Sequence, residues 1–377
     1  TIANIHGALV YDTLFGIDAD RVPRPQMVDT WSVDDDKLVY KFKLRDKLAF
    51  SDGAPVTSND VIASLKRWMQ IDPAGQFISQ FLIAMEPDGE KGFVLRLKEP
   101  FPQMLYAIGR VSAVPSFIYP ARVVEGLPVS KAFTDPTGSG PFIMRKEEWV
   151  AGSKVVYVKN NDYVPRKEAP SWASGGKVVK VDRVEWIYIP DSATAAAALN
   201  AGEADIWEQL PPDLIPVLQK NKDITVKNID QLGSMGMIRF NFLHPPFNNP
   251  KMRQALLYVV NQQDYVIGIA GDPKNGHTCY SYFTCGTPLS SEVGAEPLKG
   301  KRDFEKAKQL VKEAGYKGEK IVIIDATDQP IVHSQSLLTL ENLKKIGLNA
   351  EIQAGDWGTL ITRRRLTSSC GLMTRRM

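Results

Sequence analysis

KFKLRDKLAFSDGAPVTSNDVIASLKRW, residues Lys41 to Trp68, reads as a strand, a turn and a capped helix. Leu38, Tyr40, Phe42 and Leu44 alternate with Val39, Lys41, Lys43 and Arg45. A period of two gives one buried face and one wet face. Ser51-Asp52-Gly53 supplies turn residues, and Ala54-Pro55 leads away from the turn. Thr57 and Asp60 have the spacing of a capping box, in which each side chain reaches the other's backbone amide. Val61, Ile62, Leu65 and Trp68 then follow at helical spacing. Read from its residues alone, the stretch is structural. It holds neither a nucleophile–base pair nor metal-ligand spacing.

Its wording is more specific than its periodicity. Leu44-Arg45-Asp46, Phe50-Ser51-Asp52-Gly53, Pro55-Val56-Thr57 and Asp60-Val61 together resemble the signature block of the family 5 solute-binding proteins of ABC importers, the dipeptide- and oligopeptide-binding group. Two later stretches are similar to that family as well. Asp191-Ser192 with Gly202-Glu203-Ala204-Asp205-Ile206 resembles its D-S-x-x and GEADI unit. Phe240-Asn241 with Pro245-Pro246-Phe247, Asn249, Arg253 and Ala255 resembles its crossover motif into a second lobe.

The whole chain agrees with an exported globular protein. Its 377 residues suffice for two or three domains. Hydrophobic residues make up 44% and charged residues 24%, an ordinary globular composition. The formal net charge of +3 comes without a basic stripe in the body of the chain, which argues against nucleic-acid binding. No apolar run is long enough to span a bilayer. The chain opens inside a helix-like pattern at Thr1, so a preceding leader is expected to be missing. It ends in RRRLTSSCGLMTRRM, which has no periodicity and reads as an atypical tail, 363–377.

The order of elements supports an α/β protein. Ile5, Leu9, Val10 and Leu14 have the spacing of an entering helix. Phe93, Leu95 and Leu97 alternate as a second strand of the α+β unit around Lys41–Trp68. Thr137-Gly138-Ser139-Gly140-Pro141 is a tight turn opening a strand, since the lysine of a P-loop and the G-x-S-x-G elbow are both lacking. Val181–Ile189, Ala193–Ala201 and Glu203–Trp207 read as a strand–helix–strand crossover. Arg302–Ala314, Ile321–Ile324, Leu337–Ile346 and Leu348–Ile352 continue the alternation.

The resemblance implies a two-lobed periplasmic binding protein-like fold, class II or cluster C, with an extra α+β subdomain. It places a first lobe at 1–15 and 134–232, the inserted subdomain at 16–133 and an incomplete second lobe at 233–362. The implied function is capture of a peptide or similar small solute between lobes and its delivery to a membrane permease. The implied setting is periplasmic, or extracytoplasmic at the membrane, in a monomer without cofactor or metal. In such a protein Cys279 and Cys285 close a small disulfide loop; a metal site and two reduced thiols are the alternatives.

Candidate solute contacts are few. Trp207 ends its expected strand and is followed by Glu208, Gln209 and then Pro211-Pro212, which forbid continuation. Trp207 is either a cleft aromatic or a core residue. Gly233 allows close backbone approach, while Ser234 and Met235 add one polar and one adaptable contact. His6 either faces a ligand or is a polar residue near a helix end. A hydrolase or an interaction protein on the same scaffold is the rival reading. The four histidines lie in unrelated contexts and form no H-E-x-x-H, which disfavours the hydrolase.

Overall fold

The computed structural model describes residues 2–111, 114–131, 134–229, 233, 235–287, 289–365 and 372–376. Contacts divide the chain into two compact units, Thr1–Pro190 and Asp191–Met377. The division falls at Pro190, so residues 191–232, expected with the first lobe, group with the second unit.

The first unit is built on an antiparallel sheet of four strands, in the order Val28–Val33, Val39–Leu44, Gly92–Leu97, Leu82–Asp88. Tyr40, Phe42 and Leu44 are buried while Lys41 and Lys43 are exposed, so the alternation sets the inward face. Phe42 pairs across the sheet with Phe93, and their rings stack at 4.8 Å. The helix Ser58–Ile71 covers this face with Val61, Leu65 and Trp68. At its start, Asp60 Oδ2 accepts from the Thr57 amide at 2.8 Å, and Asp60 Oδ1 accepts from the Ala121 amide at 2.7 Å. The capping carboxylate thus also fixes a distant loop.

A second core of the same unit gathers Val10, Tyr11, Phe117, Phe142 and Tyr157. Its sheet is antiparallel: Phe142–Met144, Lys154–Lys159, Arg183–Ile187. The last of these strands was expected to be buried and to enter a β-α-β crossover. It is half exposed instead. The helix Ser192–Ala201 forms, with Asp191 accepting from the Thr194 amide, but no strand follows it at 203–207. The reason lies in the helix end. Gly202 takes φ 72°, and the amides of Glu203 and Ala204 both turn back to the Ala198 carbonyl. Those donors close the helix in a left-handed cap and are lost to any ladder. Ile206 is left 86% exposed.

The second unit is an α/β layer. Its sheet runs Gly236–Arg239, Leu372–Arg376, Ile321–Ala326, Ala350–Gly355. Ile321–Ala326 is buried along its whole length and runs parallel to Ala350–Gly355. The helix Pro330–Lys345 connects them, which makes a β-α-β unit. The helices Pro250–Leu257 and Phe304–Glu313 bury Met252, Leu256, Leu310 and Val311 in the same core. Asn249 caps the former as its spacing indicates, accepting from the Lys251 amide at 3.0 Å.

The tail corrects the expectation of an irregular end. Trp357–Arg365 is helical, and Leu372–Arg376 joins the sheet, antiparallel to Gly236–Arg239 and parallel to Ile321–Ala326. Backbone ladders accept almost any side chain, so a segment without hydrophobic periodicity can still fill a place between two strands.

Candidate functional site

In open α/β sheets, ligands sit beyond the carboxyl ends of the strands. In the second unit the strand Ile321–Ala326 carries Asp325 next to that end. Four apolar positions hold the strand in the core, which leaves Asp325 with 0% exposure. Its Oδ2 lies 2.6 Å from Nδ1 of His333, one turn into the helix Pro330–Lys345. Its Oδ1 is buried and has no hydrogen-bond partner among the described residues. The His333 side chain is 40% exposed. A carboxylate bonded to Nδ1 fixes the tautomer and ring orientation, so Nε2 is the nitrogen left for a ligand.

The surroundings are also ordered. The Thr327 amide donates to the Gly355 carbonyl at 3.0 Å, and Asp328 Oδ1 accepts from the Trp357 amide at 2.9 Å. Gly236 opens the strand Gly236–Arg239, two places from Ile321–Ala326 in the sheet. A β-carbon there would stand 2.4 Å from Gln335 Nε2, so the bare glycine leaves room for the end of that side chain. Gln335 Oε1 is a second buried acceptor without a partner among the described residues. The arrangement offers an oriented imidazole and uncompensated acceptors. Among the described residues no group of three metal-ligating side chains forms.

The sequence-derived candidates are distributed between the units. Trp207 is half-buried, and Glu208 and Gln209 are exposed, with Gln209 at φ 60°. Gly233 takes φ 68° and is exposed, and Met235 is half-buried just before Gly236. Ser234 lies outside the described residues. No hydrogen bond, ion pair or ring contact joins Trp207 to Gly233 or Met235 among the described residues. Gly236 lies against Gln335, on the helix that carries His333. Asp325, His333 and Gln335 were not singled out in the sequence. The one available signal was a charged residue inside the apolar run Ile321–Ala326.

His6 belongs to the first unit, within the helix Ile2–Val10 rather than at its end. Its Nδ1 lies 3.0 Å from the Tyr157 hydroxyl. The Tyr11 and Tyr157 rings flank it at 6.1 and 5.7 Å. Burial lowers its pKa below 6.5. A histidine held neutral in the fold binds fewer protons there than in the unfolded chain. Its contribution is therefore complete above about pH 6.5 and is lost as pH falls towards the folded pKa. Melting temperature should fall across that window, and His6→Gln, which cannot titrate, should flatten the fall. Parallel melting curves for the two proteins between pH 5 and 7 would refute the assignment.

Cys279 and Cys285 are joined in a disulfide, with their Cα atoms 5.7 Å apart. Gln262 holds the loop with both ends of its amide. Nε2 donates to the Cys279 carbonyl at 2.8 Å, and Oε1 accepts from the Cys279 amide at 2.6 Å. Among the described residues no helix is long and apolar enough to cross a membrane.

Comparison with known proteins adds to this geometry. The family model described as "Bacterial extracellular solute-binding proteins, family 5 Middle" matches residues 22–368. A probable peptide ABC transporter periplasmic-binding protein of Sinorhizobium fredii is 38% identical over 368 residues, 96% of this chain and 68% of its own length. The glutathione-binding protein of Escherichia coli is 28% identical over 92% of this chain and 64% of its own length. The chain thus spans about two thirds of the length of these relatives. Among solved structures, the oligopeptide-binding protein of Bacillus subtilis in complex with a nonapeptide superposes with a TM-score of 0.78. It covers 100% of this chain and 74% of its own at 22% identity, a likeness of fold.

Proposed function

The chain belongs to family 5 of the bacterial extracellular solute-binding proteins, and from that premise we propose that it captures a peptide or a related small solute for the permease of an ABC importer. The observation that carries this reading is the 38% identity, over nearly the whole chain, to a relative named for peptide ABC transport. The family is a transport-binding class rather than an enzyme class. In our reading the protein is periplasmic, acts as a monomer and needs no cofactor. Neither a hydrolytic reaction nor nucleic acid enters its function.

Residues from about 233 onward supply one wall of the solute site. His333, oriented by Asp325, offers a hydrogen bond to a polar end of the solute, and Gly233, Ser234 and Met235 line the approach. Trp207, Glu208 and Gln209 supply an aromatic wall and polar contacts. The half-burial of Trp207 supports a contact role over a core role.

A bound solute raises stability by mass action, about 2.7 kcal/mol at a hundredfold excess over Kd. A short-peptide series should therefore include a member that raises the melting temperature and is recovered chemically unchanged. Trp207→Ala should weaken its binding by about 1–3 kcal/mol with the fold intact. If Trp207 is a core residue, the same change removes about 3–5 kcal/mol of stability and leaves intrinsic affinity alone. His333→Ala should weaken binding and also lower the melting temperature of the free protein, because it strips the buried Asp325 carboxylate of its partner. Turnover of the peptide would overturn the transport reading.

A further inference from the structure

Between Lys274 and Glu292 the chain carries no Asp, Glu, Lys or Arg, although 24% of its residues are charged. The disulfide closes the middle of this run, and Gln262 clamps its start to the helix Gln262–Ala270. Ser281 Oγ accepts from the Phe283 amide at 3.2 Å and from the Ser291 amide at 2.9 Å, which folds the end of the run back against its tip. Three apolar side chains of this loop are exposed: Tyr282, 74%, Phe283, 48%, and Leu289, 66%. The Tyr282 and Phe283 rings meet edge to face at 5.2 Å.

We propose that this disulfide-closed loop is a lipid-interface surface, which seats Tyr282, Phe283 and Leu289 in the headgroup region of a neutral bilayer. Three observations favour lipid over a protein partner. First, the run 275–291 bears no Asp, Glu, Lys or Arg to set a docking register, whereas protein interfaces carry a polar rim and are enriched in arginine. Second, the side chains are of the aromatic and aliphatic kinds that partition to the membrane interface. Third, much of the loop's backbone is already satisfied internally. The amides of Cys279, Phe283, Thr287, Ser290 and Ser291 all donate within the protein. That lowers the cost of moving this part of the backbone out of bulk water. The disulfide and the Gln262 clamp keep the loop ordered before contact, so little ordering entropy opposes binding. The proposal requires no part of the solute-binding reading.

The test is cosedimentation of the protein with phosphatidylcholine vesicles, whose headgroups are zwitterionic and give the net charge of +3 little to act on. The expected result is a measurable bound fraction that falls at least fivefold in the Tyr282→Ser/Phe283→Ser variant. Trp172→Ser, which removes an exposed tryptophan elsewhere, should bind as the parent does. Melting curves check that the variants fold, and Leu289→Ser provides a milder second variant expected to give a partial loss. Absence of the parent protein from the vesicle pellet overturns the proposal. So does undiminished binding by the folded double variant. Concentration-dependent dimerisation that the double variant abolishes, without vesicle binding, would assign the surface to a second copy instead and equally overturn it.

Discussion

Asp12→Ala is expected to destabilise the first unit by about 3–5 kcal/mol, the range for breaking a buried ion pair from one side. Asp12 is wholly buried and accepts from Lys177 Nζ and from the Tyr163 hydroxyl, each at 2.9 Å. Its backbone amide donates to Ser139 Oγ at 3.1 Å. Burial, with the Asp12 carboxylate next in weight, pushes the Tyr163 phenol far above its ordinary range, so it stays a proton donor. Without Asp12, Lys177 keeps a largely buried charge with nothing opposite it, since its side chain is only 25% exposed. The double variant Asp12→Ala/Lys177→Met should recover part of the loss, because it removes the stranded charge. Urea unfolding followed by a probe in the first unit measures both. Equal loss in the single and double variants would show that the ion pair is not what Asp12 contributes.

Phe93→Ala should remove about 3–5 kcal/mol from the same unit through a different mechanism, the cavity left by a core aromatic. Phe93 has 0% exposure, stands opposite Phe42 across the sheet, and stacks on it with 13° between the ring planes. Neighbouring strands and the helix Ser58–Ile71 hold the surrounding backbone, so collapse into the void is limited. Ile83→Ala is the control. Ile83 lies on the next strand of the sheet but is 67% exposed, and its loss should stay within about 0.5 kcal/mol. A loss for Phe93→Ala no greater than that for Ile83→Ala would mean that this sheet face is not a packed core.

The two predictions differ in how far the sequence announces them. Phe93 is legible, because it alternates with its neighbours and lies on a strand whose partner shows the same period. Asp12 is not. A single acidic residue inside an apolar helix-like stretch has no visible partner, and its lysine lies 165 positions away. The candidate site follows the same rule. Met235 and Gly236 sit near a motif that the sequence made conspicuous, whereas Asp325 and His333 meet only after the strand Ile321–Ala326 is placed under its helix. The strand after Ala201 was expected from the resemblance of GEADI to the family's unit, although only Ile206 among these residues favours a strand. The helix cap at Gly202 takes the amides that such a strand would need.

What the amino-acid sequence determined by itself is local and one-faced. It set which side of Val39–Leu44 turns inward, where the helix Ser58–Ile71 begins, and, through a run of specific residues, the family. These follow from the period of the side chains and from capping chemistry within a few residues. The tertiary structure alone decided the partners. It chose Tyr163 and Lys177 for Asp12, His333 for Asp325, Gln262 for the disulfide loop, and the place of Leu372–Arg376 in the sheet. Periodicity states that a side chain points inward but not what it meets there. Buried polar groups are satisfied by whichever element the topology brings alongside.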